Sequence, residues 1–140
     1  MGLSVSAIDK ALFNAAKNVR KNAHVPYSHF LVGAAILAEN GEIYAGCNVE
    51  NAAYPQGICA EGAAICALVS SGQKTIKRIY IVASGVEPVM PCGGCRQKIR
   101  EFADKNCIII CHGIDGDKFE ASLEQLLPHS FGPENLGVMK

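Results

Sequence analysis

Apolar residues recur at helical spacing through the opening segment, at Ile8, Leu12, Ala15, Ala16 and Val19, with polar residues between them. Positions three and four apart share one helix face, so the spacing predicts a helix over residues 6–22, with Ser6 as N-cap and His24-Val25-Pro26 ending it. The pattern then changes period. Phe30 to Leu37 and Ile43 to Asn48 are apolar runs of strand length, parted by Glu39-Asn40-Gly41-Glu42, and Asn-Gly is a strong hairpin signal because both residues tolerate positive φ. Residues 59–71 are helix-tolerant and largely apolar on every side, with Gly72 as a stop, which predicts a helix buried against a sheet. Ile79 to Ser84 and Cys107 to His112 read as strands, and residues 92–103 between them carry helical spacing through Ile99, Phe102 and Ala103. Asp115-Gly116 predicts a turn into an edge strand around 118–121. Ser122-Leu123-Glu124-Gln125 has the form of a capping box that opens a short helix stopping at Pro128.

Strands alternating with helices predict parallel pairing, with right-handed crossovers laying helices on the sheet's faces. At 140 residues the chain is long enough for one full core, and it carries no internal repeat, linker or low-complexity segment, so residues 1–140 are expected to form a single domain. Thirteen basic residues balance thirteen acidic ones, which speaks against a nucleic-acid partner or a membrane surface. No apolar stretch reaches the length of a membrane span, and Met1-Gly2-Leu3-Ser4 lacks the regions of a signal peptide. Seven cysteines, an odd number, fit a reducing compartment better than a disulfide framework, so a cytoplasmic protein is expected.

Three of those cysteines stand apart. A lone C-x-x-C reads more often as a redox pair or half of a structural zinc knuckle. Here Pro91-Cys92-Gly93-Gly94-Cys95 follows an upstream Cys59-Ala60-Glu61, which offers three thiolates for one Zn²⁺ and a carboxylate beside them. Structural zinc sites close with four protein ligands, whereas catalytic ones use three and leave a position open. Glu61, two residues after the first ligand, is placed to act as general acid and base without itself being a ligand. Cys59 and the Cys92/Cys95 pair each begin a predicted helix, where free backbone donors and the helix dipole favour thiolates. Cys47, Cys66, Cys107 and Cys111 are then expected to be buried thiols, and the four histidines structural or surface residues.

The chain resembles the small zinc-dependent cytidine deaminases of the homotetrameric type. The resemblance runs through Pro26-Tyr27-Ser28-His29-Phe30, Gly46-Cys47-Asn48-Val49-Glu50-Asn51-Ala52, Tyr54-Pro55, Cys59-Ala60-Glu61, Pro91-Cys92-Gly93-Gly94-Cys95-Arg96-Gln97 and Leu126-Leu127-Pro128-His129-Ser130-Phe131-Gly132-Pro133. It implies an α/β fold of three layers, α/β/α, around a five-stranded mixed sheet, one zinc per subunit, and hydrolysis of cytidine and deoxycytidine to uridine and deoxyuridine. It also implies a homotetramer whose active sites lie at subunit interfaces.

In such an enzyme Phe30 would lie against the pyrimidine, and the backbone N–H groups of Ala60 and Cys92 would bond base and intermediate. Asn48 and Glu50 would reach the ribose 3′-hydroxyl, since residues two apart at a strand end point to one side. Ala52 falls within the same substrate-binding motif. Tyr54 and Phe131 resemble residues that family members lend to a neighbour's site. One position departs from the pattern: after Cys-Ala-Glu the family usually has Arg, and this chain has Gly62. Zinc with three thiolates carries a formal charge of about −1, so the missing Arg predicts bound water with a higher pKa than in relatives that have it. Blasticidin-type deaminases also lack that Arg, which leaves another aminopyrimidine as an alternative substrate. A catalytically impaired interaction protein is a second alternative, against which Glu61 argues. A polynucleotide deaminase is a third, against which the zero net charge argues.

Overall fold

The computed structural model describes residues 2–138. The first helix, α1, spans Val5–Arg20. Of the two nearby serines it is Ser4 whose hydroxyl caps the helix, accepting from the Ala7 N–H at 3.2 Å, so the helix starts one residue earlier than residues 6–22 would place it. Ser4 and Ser6 have the same capping chemistry, and local sequence alone does not choose between them.

Five strands form one sheet among the described residues: β1 (Val32–Ala38), β2 (Ile43–Cys47), β3 (Ile76–Ala83), β4 (Ala103–Gly113) and β5 (Lys118–Ser122), in the order β2-β1-β3-β4-β5. Between them run α2 (Ala60–Ser70), α3 (Gly93–Phe102) and a short α4 (Leu123–Leu126), whose capping box at Ser122 and Gln125 forms as predicted. The sheet is mixed. Parallel pairing holds between β3 and β4, but β1 lies between β2 and β3 and pairs antiparallel with both. The β2-α2-β3 crossover therefore steps over a strand, and β5 closes the other edge antiparallel to β4.

The inner strands are buried on both faces, which is why they read as unbroken apolar runs. Their side chains nevertheless divide with a period of two. Ala34, Ile36, Ile79, Ile81, Ile109 and Cys111 face α2, α3 and α4, together with Ala64, Leu68 and Ile99. Ala35, Tyr80, Val82 and Ile110 face α1 through Leu12 and Ala16. The result is three layers, α/β/α, with each large buried side chain contributing about 1.5–3 kcal/mol through removal from water.

One close approach sets the site. A Cβ at Gly46 of β2 would lie 2.4 Å from the Ala64 nitrogen, so only glycine lets α2 sit this near the sheet. Cys107 and Cys111 are buried as expected, but Cys47 is half-buried and Cys66 exposed. Cys66 lies on the face of α2 turned away from the sheet, which the apolar composition of residues 59–71 had suggested was covered too.

Candidate active site

Two helix starts meet at one point. Cys59 is the N-cap of α2 and Cys92 the N-cap of α3, both with extended backbone (φ −74°, ψ 155° and φ −65°, ψ 166°). Neither sulfur caps its own helix, while both backbone carbonyls accept the first helical bonds, from Ala63 and Arg96, at 3.0 Å each. The side chains are thus turned out of the helix ends, and Cys95 joins them from the first turn of α3. The three sulfurs lie within 4.8 Å of one another, near enough for one ion with bonds of about 2.3 Å to draw them together. Soft thiolates favour zinc, and three ligands leave a fourth position free for chemistry. The residues present therefore fit Zn²⁺, and no histidine joins the cluster among the described residues.

The sulfurs perturb one another. The Cys59 thiol is drawn down to about 6, foremost by its hydrogen bond from Cys95, with Cys92 and Lys98 adding smaller pulls against burial and Glu61. Cys95 moves the other way, foremost because of the same bond to Cys59, then through burial and the neighbouring Glu61 carboxylate. Glu61, in the first turn of α2, is only 5% exposed. A carboxylate taken out of water is costly unless it has partners, and a helix N-terminus beside thiols supplies them.

Glu61, Cys59, Ala60 and Cys92 line a cleft of about 260 Å³ with Phe30, Val32, Asn48, Ile81, Val89 and Met90. The segment after β2 brings Asn48 there. Val49 exchanges two backbone bonds with Ile58, at 2.9 and 2.8 Å, which lays residues 48–50 beside Cys59. On its other side, His24 bonds to both Asn48 and Glu50 through the backbone.

The Asn48 amide spans the edge of the cleft, accepting from the Val32 N–H at 2.9 Å and donating to the Phe30 carbonyl at 2.8 Å. The Arg20 guanidinium holds the Leu31 carbonyl at 3.0 Å. These side-chain bonds replace ladder pairing at residues 30 and 31, so β1 begins at Val32 and Phe30 is left as a loop residue at the cleft wall. Glu50 binds the same loop from below, its carboxylate accepting from the Tyr27 and Ser28 N–H groups at 3.0 and 3.1 Å. The Ser28 hydroxyl is the foremost reason its carboxyl sits below the usual range.

Not every expected residue shares that cleft. Glu50 and Tyr54 line an adjoining cleft of about 380 Å³ with Tyr27, Ser28, Asn51 and Gly57. Tyr54 is 75% exposed and packs edge-on against Tyr27 at 5.8 Å between ring centroids. Ala52 is exposed in the loop before it, and lines neither cleft. Phe131 is 59% exposed, with its carbonyl held by the Gln97 amide at 3.0 Å. Within one chain, Phe30, Asn48, Ala60 and Glu61 come together with the thiols, while Glu50, Ala52, Tyr54 and Phe131 stand outside.

Val89 and Met90 were not singled out from the sequence, since they sit in a loop without periodicity. Arg96 also escaped: its guanidinium donates to the Pro91 and Leu126 carbonyls at 2.7 and 2.8 Å, bracing the loop that carries Cys92. Lys98 is a third. Its stem crosses Gly62, with Cδ 3.7 Å from where a Cβ at residue 62 would be. The signal was its place one turn beyond Gly94 and Cys95 on a helix whose start was predicted.

The model of the cytidine and deoxycytidylate deaminase zinc-binding region matches residues 6–111. A cytidine deaminase of Sporosarcina psychrophila is 45% identical over 125 residues, spanning 89% of this chain and 92% of that protein. Among solved structures, the cytidine deaminase of Burkholderia pseudomallei aligns with a TM-score of 0.83 at 37% identity, over 87% of this chain and 98% of that one. The Mycobacterium tuberculosis cytidine deaminase aligns with a TM-score of 0.77 at 37% identity, over 88% and 96%.

Proposed function

The chain belongs to the zinc-dependent cytidine and deoxycytidylate deaminase family, and from that premise we propose that it hydrolyses cytidine and deoxycytidine to uridine and deoxyuridine, releasing ammonia, in pyrimidine salvage. The observation that carries this reading is the buried Glu61 carboxylate beside three clustered thiols, in a cleft walled by Phe30 and Asn48.

Cys59, Cys92 and Cys95 hold the zinc, which when bound supplies a Lewis acid that makes water acidic near neutral pH. The residues of the chain do the rest. Glu61 takes the proton that water gives up in adding to C4 of the pyrimidine and delivers it to N3. It then carries the remaining hydroxyl proton to the amino nitrogen, so ammonia leaves with the electron pair of the C4–N bond and the C4 carbonyl forms. The backbone N–H groups of Ala60 and Cys92, at the two helix starts, orient the base and its addition intermediate. Phe30 stacks on the ring.

Asn48 and Glu50 contact the sugar 3′-hydroxyl from the loop edge they already brace, with Ala52 in the same loop. Replacing Glu50 with Ala should lower kcat/KM for cytidine by roughly 5- to 150-fold, the equivalent of about 1–3 kcal/mol for a partner left unpaired in a closed site. An aminopyrimidine without the sugar should be much less affected. Asn48→Ala should in addition lower the melting temperature, because its amide bonds both Phe30 and Val32. Equal kinetic losses on both substrates would assign Glu50 to the loop alone.

The active unit in this reading is a cytoplasmic homotetramer, in which Tyr54 and Phe131 complete a neighbouring subunit's site. Their exposure supports it, as does that of Val49 and Ile58 beside Cys59. Thiolate ligands need a compartment that keeps them reduced. Mixing an inactive Glu61→Gln chain with an inactive Phe131→Ala chain should restore activity through sites that draw intact residues from both. No recovery in verified mixed oligomers would place Phe131 in its own subunit's chemistry or outside it.

The reaction itself is tested by following cytidine, deoxycytidine, dCMP and blasticidin S side by side in the ultraviolet. The two nucleosides should react fastest. A preference for blasticidin S would move the substrate to another aminopyrimidine, and no turnover of any by the zinc-loaded protein would leave a zinc-binding protein without this catalysis.

A further inference from the structure

Lys98 and Gly62 form one arrangement. Side chains on a helix lean toward its N-terminus, so Lys98 of α3 reaches back over the turn that carries the thiols. Its stem passes over Gly62 of α2, with Cδ and Cε 3.7 and 4.0 Å from the point a Cβ at residue 62 would occupy. Its amine ends above Gly94: a Cβ there would lie 3.8 Å from Nζ and 3.9 Å from Cys92 Sγ. Two glycines on two helices thus leave the channel through which a lysine delivers its charge to the sulfur cluster.

We propose that Lys98 is the positioning cation of the metal centre, offsetting the excess negative charge of three thiolates on one dication and standing in for a positive side chain at position 62. The proposal rests on zinc being held by Cys59, Cys92 and Cys95. A dication with three thiolates carries a net charge of about −1, and two helix N-termini, worth roughly half a charge each and only within the first turn, offset part of it. The Lys98 amine adds a full charge beside the turn that carries Cys92. It does not line the cleft that holds Phe30 and Glu61, so it acts through the sulfurs and not on the substrate. Its charge offsets the net negative charge of the loaded site, which favours the zinc-bound state and leaves the metal more electrophilic. Gly62 follows from the same geometry, because a side chain longer than Ala at that position competes with the lysine stem for one space.

The test is zinc release to a chromophoric chelator at fixed pH and salt, with kcat on cytidine measured in parallel, for wild type and three variants. Lys98→Met keeps the stem and removes the charge, and should release zinc about tenfold faster, the low end for groups around a metal's ligands because Lys98 is exposed. Lys98→Arg should stay within about threefold of wild type, as the charge is kept. The double variant Gly62→Arg with Lys98→Ala, which clears the stem and returns a cation from α2, should recover most of the loss. Lys98→Met with wild-type release overturns the proposal, as does Lys98→Arg releasing zinc as fast as Lys98→Met. A wild-type chain that binds no zinc overturns the metal reading itself, whereas zinc bound at one per chain and indifferent to Lys98 overturns only the role of the lysine.

Discussion

Glu61→Gln is expected to keep the fold and the zinc and to lose roughly 10³- to 10⁴-fold in kcat, the upper range for a single general acid/base, because in the proposed mechanism the carboxylate moves protons twice per turnover. The substitution is nearly isosteric and removes a buried charge, so stability should be unchanged or slightly higher. Glu61 is 5% exposed and lies in the first turn of α2, so the helix-dipole attraction lost with the amide offsets part of the gain from removing a buried charge. KM should change far less than kcat, since the proposed binding contacts are Phe30, Asn48 and the helix-start amides. Near-normal turnover by a folded, zinc-loaded Glu61→Gln protein would remove the proton-transfer account.

Cys92→Ala should have a comparably large effect by a different route. Two sulfurs hold zinc far less tightly than three, so metal content should fall from about one per chain to nearly none after dialysis against a chelator, and turnover with it. The helix start should survive, because the Cys92 side chain makes no capping bond and its carbonyl still accepts from the Arg96 N–H. The melting temperature should drop only by the stabilisation that bound zinc gives the native state, and wild type stripped of zinc should melt at the same point as the variant. Full zinc retention by Cys92→Ala would mean that the ligand set lies elsewhere.

The elements that carry this chemistry were legible because their signals are local. Cys59 and Cys92 both fall where an extended approach turns into a helix, and the structure makes both of them N-caps. Ser122 and Gln125 exchange the two predicted capping bonds, at 2.8 and 3.2 Å. What the pattern did not reveal depends on distant parts of the chain. β1 inserts between β2 and β3 because both of its faces are apolar and must be covered by α1 on one side and α2 on the other, a condition no single window expresses. In the sequence Asn48 resembles a sugar ligand, yet its amide also bonds the backbone of Phe30 and Val32 and so fixes where β1 begins, which only the fold reveals. The absence of Arg at position 62 suggested an uncompensated charge. The lysine that crosses that position comes from another helix, 36 positions further along the chain by the difference of 98 and 62.

The central claim, a zinc-dependent hydrolysis of cytidine, is tested most directly by measuring uridine and ammonia together from purified protein of known zinc content. The account predicts equal amounts of the two products, a rate proportional to zinc up to one ion per chain, and loss of both products when the metal is removed. Zinc-loaded protein that leaves cytidine unchanged, or that forms uridine at the same rate without metal, would contradict it.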